Sequence, residues 1–381
     1  MNVLLIGEYS NLHNTLKEGL AVSGNNAKII SSGSGFKNLP NDYSIKPKLT
    51  HWLLGNRDFF LLRKIYSVLV RLERGIRFYF LLKEIQKYDV IQLINERPIE
   101  TFSFLEYWLL KKILKKNKNV FVLSTWVDYI TMTYYLKNKD FKSIIQPYFL
   151  NEKLKKRYKY AFYYTSKRHY KIHQLLYKKS RGFITTDLDY AIPLQGNAKH
   201  LEMIPNPVNI DRLKYTLPSI EAKIIIFLGI SHLSYTEKGI EFFLNALQEI
   251  ENKYNDRVEV IIAKSLTYSE YIECYNKCHI LLDQVFSNDQ GFNALEAMAK
   301  GKVVFTGAEK VFLDYYDLKE DEVAINAKAD VNYLVDKLSE LIENPDKIIA
   351  MSLNARKFVE NRHHYVKQAQ KYAEIWRDFA I

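Results

Sequence analysis

The residue types able to do chemistry concentrate in two stretches of the second half of this sequence. Lys238-Gly239 stands directly before a helix-patterned run that starts at Ile240, so the lysine sets a cation beside a helix N-terminus. The unpaired N–H groups and dipole of such a terminus favour an anion. A diphosphate leaving group needs positive charge of this kind, fixed in place before a bond breaks. Gly229 opens the loop leading to the lysine, and His232 within that loop is a donor only partly charged near neutrality. Further on, Gly291 precedes a short run of helix formers, Asn293 to Lys300, which Gly301 closes as a C′ glycine. Gly291 lets a ligand approach the backbone closely. Phe292, Asn293 and Ala294 then carry the first N–H groups of a second anion seat. Glu296 lies one turn into that helix, and Asn288 and Asp289 lie just before it. Asn293-x-x-Glu296 also fits a capping box, so the glutamate has a structural reading beside a binding one.

These residues need a scaffold, and the sequence supplies two repeats of strand, loop and helix. In the first half, Val3 to Ile6, Ala27 to Ser31, Asp89 to Ile94, Val120 to Ser124 and Phe183 to Thr185 are short apolar runs, suited to parallel strands buried on both faces. Asn14 to Ala21 and Phe102 to Leu114 read as helices between them. Glu8, Ser10, His13 and Asp128 therefore fall at the strand ends that face a ligand crevice in doubly wound folds. Each also has a plain alternative in loop hydrogen bonding or helix capping. Gly33-Ser-Gly35 is a weak dinucleotide-type hint, because it follows the second strand and lacks a third glycine. Pro205-Asn-Pro-Val-Asn209 marks the break between domains. Strands then recur at Lys223 to Leu228, Val258 to Ala263, Ile280 to Leu282 and Val303 to Phe305, with helices from Ile240 to Glu249 and Tyr268 to Asn276.

The stretch Gly-Phe-Asn-Ala-Leu-Glu-Ala-Met-Ala-Lys-Gly-Lys-Val-Val, from Gly291 to Val304, resembles the nucleotide-sugar-binding segment of the retaining family 4 glycosyltransferases (glycosyl transferases group 1), which are of GT-B type. Lys238-Gly239 resembles that family's diphosphate-contacting Lys-Gly, and the 205–209 segment resembles its interdomain linker. The resemblance implies an α/β GT-B fold, two Rossmann-like doubly wound domains facing each other across a cleft. It implies an acceptor domain over 1–205, a nucleotide-sugar domain over 206–362, and a last helix, 363–381, crossing back to the first. It further implies an enzyme of hexosyltransferase type. This would move a sugar, with retention, from a nucleoside-diphosphate donor to a glycan or lipid-linked glycan in surface polysaccharide synthesis. Glu296 matches the family glutamate that holds the ribose. Asn288 stands where the other family glutamate would be, which assigns contact with the sugar to Asn288 or Asp289. Lys238, Glu296, Asn288 and Asp289 form the expected catalytic set. Gly229, His232, Gly291, Phe292, Asn293 and Ala294 form the donor-binding set, and Glu8, Ser10, His13 and Asp128 the acceptor-binding set. No metal or other cofactor is expected, since no Asp-x-Asp motif stands out and Cys274 and Cys278 have no second ligand pair.

Composition is compatible with this. At 381 residues, 48% of them hydrophobic and 26% charged, the chain has material for two cores. A net charge of +12 favours anionic partners. Residues 51–87 carry eight basic side chains against three acidic ones, interleaved with aromatics. Residues 153–181 carry eleven basic side chains, no acidic one, and six tyrosines. Solvated helix faces explain such runs, and so does contact with an anionic membrane surface. With no signal peptide or spanning segment expected, the reading is a cytoplasmic protein, peripheral on the inner face of the cytoplasmic membrane. The rival readings are a nucleotide-sugar epimerase on the same fold, a catalytically silent relative, and a basic nucleic-acid-binding protein. The transferase reading expects no nucleic acid.

Overall fold

The computed structural model describes residues 1–33, 38–54, 60–220, 222–231, 234–264 and 268–381. Two compact units emerge. The first comprises Met1–Tyr134, Tyr160–Pro207 and Tyr365–Ile381; the second comprises Tyr135–Lys159 and Val208–His364. The segment Tyr135–Lys159, placed wholly in the first domain by the sequence reading, thus groups with the second unit.

The first unit holds a parallel sheet of seven described strands: β1 (Asn2–Ile6), β2 (Asn26–Ser31), β3 (Tyr43–Ser44), β4 (Val90–Leu93), β5 (Val120–Ser124), β6 (Phe183–Thr185) and β7 (His200–Met203). They lie in the order β3-β2-β1-β4-β5-β6-β7. The residues Val3 to Ile6 and all of β4 and β5 are buried, as strands covered on both faces must be. The order reverses between β1 and β4, so the loops after these two strands flank the switch point where doubly wound sheets bind ligands. The longer helices are α1 (Leu12–Val22), α2 (Lys48–Leu54), α3 (Phe60–Leu81), α4 (Ser103–Lys116), α5 (Tyr129–Lys137) and α6 (Lys167–Lys179). Glu73 of α3 accepts from the backbone N–H groups of Leu49 (3.0 Å) and Thr50 (2.7 Å), which caps α2 and ties it to α3.

The second unit has five described parallel strands: β8 (Ile224–Ile230), β9 (Val258–Lys264), β10 (Ile280–Leu282), β11 (Val303–Thr306) and β12 (Ile325–Asn326), ordered β12-β11-β10-β8-β9. Here the switch point lies between β8 and β10. The helices are α7 (Ile240–Tyr254), α8 (Tyr268–Lys277), α9 (Phe292–Ala299), α10 (Lys310–Tyr316), α11 (Val331–Glu343) and α12 (Pro345–Arg362). A core of Phe243, Leu247, Ile250, Leu282, Phe305 and Leu338 joins α7 and α11 to the sheet.

The last helix, α13 (Tyr365–Phe379), packs on α1 of the first unit. Gly19 permits this: a Cβ there would sit 2.4 Å from the Tyr365 carbonyl oxygen. Trp376, fully buried, donates its indole N–H to Gln92 Oε1 at 3.0 Å, which satisfies a polar side chain in the middle of β4. Among the described residues, no helix is long and apolar enough to cross a membrane.

Candidate functional site

The C-terminal ends of β8, β10 and β11 organise the second unit's site. The loop after β10 is clamped on both sides. Val285 N–H donates to the Lys238 carbonyl at 3.0 Å, and Gln290 Nε2 donates to the Gly307 carbonyl at 2.7 Å. Gly307 must be glycine here, because a Cβ would lie 2.5–2.6 Å from the backbone of Ser287 and Asp289. Gly239 adopts φ +67°, and a Cβ on it would meet Val285 Cγ2 at 2.2 Å. That turn delivers Lys238 to the sheet edge, where its Nζ meets Asp283 Oδ1 at 2.7 Å. Asn293 Nδ2 donates to the same carboxylate oxygen at 3.0 Å. A cation, a buried carboxylate and the first turn of α9 therefore converge on one point. The first intrahelical bond of α9 runs from Leu295 N to Gly291 O, so the N–H groups before Leu295 have no partner within the helix.

Gly291 is the N-cap of α9, which starts at Phe292, so Asn293 lies inside the helix and the Asn293–Glu296 capping box is not the arrangement adopted. Glu296 is half-buried, one turn beyond Asn293. Ala294 is buried, Phe292 is half-buried, and Gly229 lies within β8. His232 lies outside the described residues. Asn288 and Asp289 are both buried. The Asn288 amide donates to the Lys142 carbonyl at 2.7 Å, and Asp289 Oδ1 accepts from Gln290 N at 2.7 Å. Lys142, from the segment that joins this unit out of sequence order, also donates to Glu309 at 2.8 Å and to the Ala327 carbonyl at 2.7 Å. Asp283 and Lys142 escape sequence reasoning altogether.

In the first unit, the four residues expected near an acceptor lie at the anticipated sheet edge, but three are committed internally. Glu8 caps α1, accepting from Asn14 N–H at 2.9 Å and Asn14 Nδ2 at 2.7 Å, while burial pushes its carboxyl up to about 7. His13 Nδ1 contacts the Gly7 carbonyl at 2.7 Å, and burial depresses the imidazole to about 4. Asp128 accepts from the Ser124 hydroxyl and, at 2.8 Å, from Thr131 N–H. Ser10 is exposed, with φ +52°. Asn11, the N-cap position of α1, makes no side-chain cap bond. Gly33 adopts φ +84° and its carbonyl accepts from Leu39 N–H at 2.8 Å, whereas Ser34 and Gly35 lie outside the described residues.

A cluster not foreseen from the sequence joins the loop after β4 to α6. Buried Glu96 lies 2.6 Å from His169 Nε2 and 2.6 Å from His173 Nδ1, and accepts from Tyr129 N–H at 3.0 Å. Burial would raise this carboxyl, but the two histidine hydrogen bonds hold it down to about 2. The signal was available: His169 and His173 are four apart, on one face of a helix. Part of the basic, tyrosine-rich 153–181 run is core as well, since Tyr158, Tyr164, Ile172 and Leu176 are buried while its lysines are exposed. Cys274 and Cys278 are free thiols; Cys278 is buried, which pushes it up to about 12. Among the described residues no group of three or more His, Cys, Asp or Glu is placed to hold a metal ion.

Residues 237–374 match a protein-family model described as glycosyl transferase-like. No curated protein is a significant match to the sequence. Among solved structures, the chain resembles the sucrose-phosphate synthase of Thermosynechococcus elongatus (TM-score 0.60, 13% identity, over 99% of this chain and 98% of that one). It also resembles HepE of Anabaena in complex with UDP and glucose (TM-score 0.61, 12% identity, over 99% and 100%). A third likeness is to the UDP-GlcNAc 2-epimerase of Neisseria meningitidis bound to UDP-GlcNAc (TM-score 0.54, 13% identity, over 99% and 100%). The fold is GT-B, two Rossmann-like α/β units, and the resemblance to GT-B glycosyltransferases read from the sequence holds.

Proposed function

From a chain with the GT-B fold and a glycosyl transferase-like segment over residues 237–374, we propose a retaining glycosyltransferase of hexosyl type. It moves a sugar from a nucleoside diphosphate to a glycan or lipid-linked glycan in surface polysaccharide synthesis. The observation that carries this reading is the convergence of Lys238 and Asn293 on Asp283 at the mouth of α9. The donor diphosphate sits against the N–H groups of Phe292, Asn293 and Ala294, with Lys238 as the fixed cation that stabilises charge developing on the leaving group. Asp283 holds Lys238 in place before the donor arrives. Glu296, on the same helix, accepts from the ribose hydroxyls. Asn288 or Asp289 touches the transferred sugar, sharing the bonds each now makes to Lys142 or Gln290. Gly229 and His232 border the nucleotide. The acceptor is assigned to the first unit, at the edge bearing Glu8, Ser10, His13 and Asp128, and no step is assigned to a metal or cofactor.

The same reading places the protein on the inner face of the cytoplasmic membrane. On α3, Ile65, Val68, Leu72, Ile76, Tyr79 and Phe80 form an exposed apolar stripe, and Trp52 of α2 is 80% exposed. Tyr79 stacks on Trp108 of α4 at 5.6 Å, and Lys112 lies over that indole at 5.2 Å. Aromatic rings edged by lysines suit the headgroup depth of an anionic bilayer.

The likeness to an epimerase keeps a second chemistry in view, and one experiment separates the two. Purified protein is screened for thermal stabilisation by nucleoside diphosphates and their sugars, then assayed for nucleoside-diphosphate release with and without acceptor. A transferase releases the diphosphate, whereas an epimerase returns a nucleotide sugar of unchanged mass. Glu296→Ala should abolish the thermal shift, and a shift that survives it removes the ribose role.

A further inference from the structure

The first unit contains a cavity of about 360 Å³ that the donor site does not use. It lies at the switch point of the seven-stranded sheet. Tyr9 comes from the loop after β1, Arg97 and Glu100 from the loop after β4, Arg71 and Arg74 from α3, and Tyr164 closes it. The lining therefore carries three guanidinium groups against one carboxylate.

The frame is rigid. The fully buried Glu106 carboxylate accepts from the N–H groups of Ile99 (3.0 Å) and Thr101 (2.8 Å) and so fixes the 97–101 loop. Thr101 Oγ1 donates to the Arg71 carbonyl at 2.6 Å, which ties that loop to α3. Gly75 allows the close approach, since a Cβ there would meet Leu105 Cδ2 at 2.3 Å. Within this frame the arginines are incompletely used. Arg74 Nη1 meets Glu100 Oε2 at 2.6 Å, and Arg97 Nη2 donates to the Thr101 carbonyl at 2.8 Å. The Nε atoms of both are buried and have no hydrogen-bond partner among the described residues. Glu100 adopts φ +58°, a strained conformation for a glutamate, and strain of this kind collects at ligand-binding positions. Its carboxylate is more than a third exposed and occupies the place an incoming anion would take.

We propose that this pocket binds the diphosphate group of the acceptor. The inference rests on the transferase reading for the word acceptor, though not for the binding itself. A diphosphate diester carries about two negative charges, one per phosphate, and meets a lining of three arginines and one carboxylate, Glu100. Arginine forks suit phosphate oxygens in pairs. The volume lies at the lower end of the range for small-ligand sites, more than one phosphate needs. When the anion enters, Glu100 swings out and releases Arg74 Nη1 to it.

Inorganic pyrophosphate is the probe, titrated calorimetrically into the wild-type chain and into Lys238→Ala, which removes the donor-site cation from consideration. In both, Arg71→Ala should weaken binding about tenfold, the worth of one charge-assisted contact. Glu100→Gln should strengthen it several-fold, because the competing carboxylate has gone. Arg71 is exposed on α3, so its removal leaves the fold intact. A polyprenyl diphosphate in neutral-lipid vesicles and a soluble sugar diphosphate, run alongside, show by their relative affinities whether the group arrives on a lipid or free. No detectable pyrophosphate binding, or binding that ignores both Arg71→Ala and Glu100→Gln, overturns the proposal. Failure of the nucleotide-sugar assay with this titration intact would fault the transferase reading instead.

Discussion

Lys238→Ala tests the donor site most directly, because the structure separates its two consequences. Asp283 is only 2% exposed and its Oδ1 lies 2.7 Å from Lys238 Nζ. Without the lysine, that carboxylate keeps the Asn293 amide at 3.0 Å and a marginal Thr306 hydroxyl at 3.5 Å. Removing one partner of a fully buried pair costs about 3–5 kcal/mol. The Lys238 side chain is 29% exposed, so solvent screening reduces this to about 2 kcal/mol. For a unit of this size the melting temperature should fall by about 4–8 °C. Catalysis should suffer more: loss of one fixed donor to a developing negative charge lowers kcat by about 100- to 1000-fold. Lys238→Ala combined with Asp283→Asn distinguishes the two effects. The double variant no longer buries an unpaired charge, so stability should recover, measured by urea unfolding. Turnover and stabilisation by a nucleoside diphosphate should not. Recovery of turnover in the double variant would show that Lys238 only neutralises Asp283, and the leaving-group role would be wrong.

The Glu96 cluster predicts an acid limb of stability. Its carboxyl is held at about 2 in the folded protein against an ordinary 4.5, so the stabilisation is present above about pH 4.5 and drains away as pH falls toward 2. At 1.36 kcal/mol per unit the share is about 3 kcal/mol. Urea midpoints measured across that window should fall steeply for wild type and stay flatter for Glu96→Gln. For the membrane face, Trp52→Glu with Phe80→Glu should abolish sedimentation with anionic vesicles and leave turnover on a soluble acceptor within about twofold, since neither side chain belongs to the donor site. Undiminished vesicle binding would assign those exposed rings another role.

The fold was largely legible because both sheets announce themselves. Runs such as Val120 to Ser124 and Ile280 to Leu282 are apolar but for Ser124, as strands buried on two faces require, and both are strands with those bounds. Gly301, with φ +87°, ends α9 as its place in the pattern implied. The site was legible only where it is local. Lys238-Gly239 and the start of α9 are read from neighbours in sequence. Asp283 is 45 residues from Lys238, and their contact exists only once β10 lies beside β8. The Asn293-x-x-Glu296 pattern suggested a cap, but Gly291 took the N-cap position and Asn293 was left to bind Asp283. Likewise α10 was missed, although Phe312, Tyr315 and Tyr316 recur at i, i+3 and i+4; seven residues are too few for that period to stand out. Glu8, His13 and Asp128 illustrate the reverse difficulty. A polar residue at a strand end has the same spacing whether it meets a ligand or its own backbone, and only hydrogen-bond partners tell these apart.

The placement of α13 bears on how the molecule is made. A ribosome delivers β1 and α1 long before α13, yet the cover over Gly19 of α1 and the indole partner of Gln92 both come from residues 365–379. Throughout synthesis of the second unit, the first lacks the residues that cover Gly19 and the donor to Gln92 Oε1. A lesion near residue 376 should accordingly be felt first as loosening of α1 and of β4, whose Gln92 lies 284 residues away in sequence.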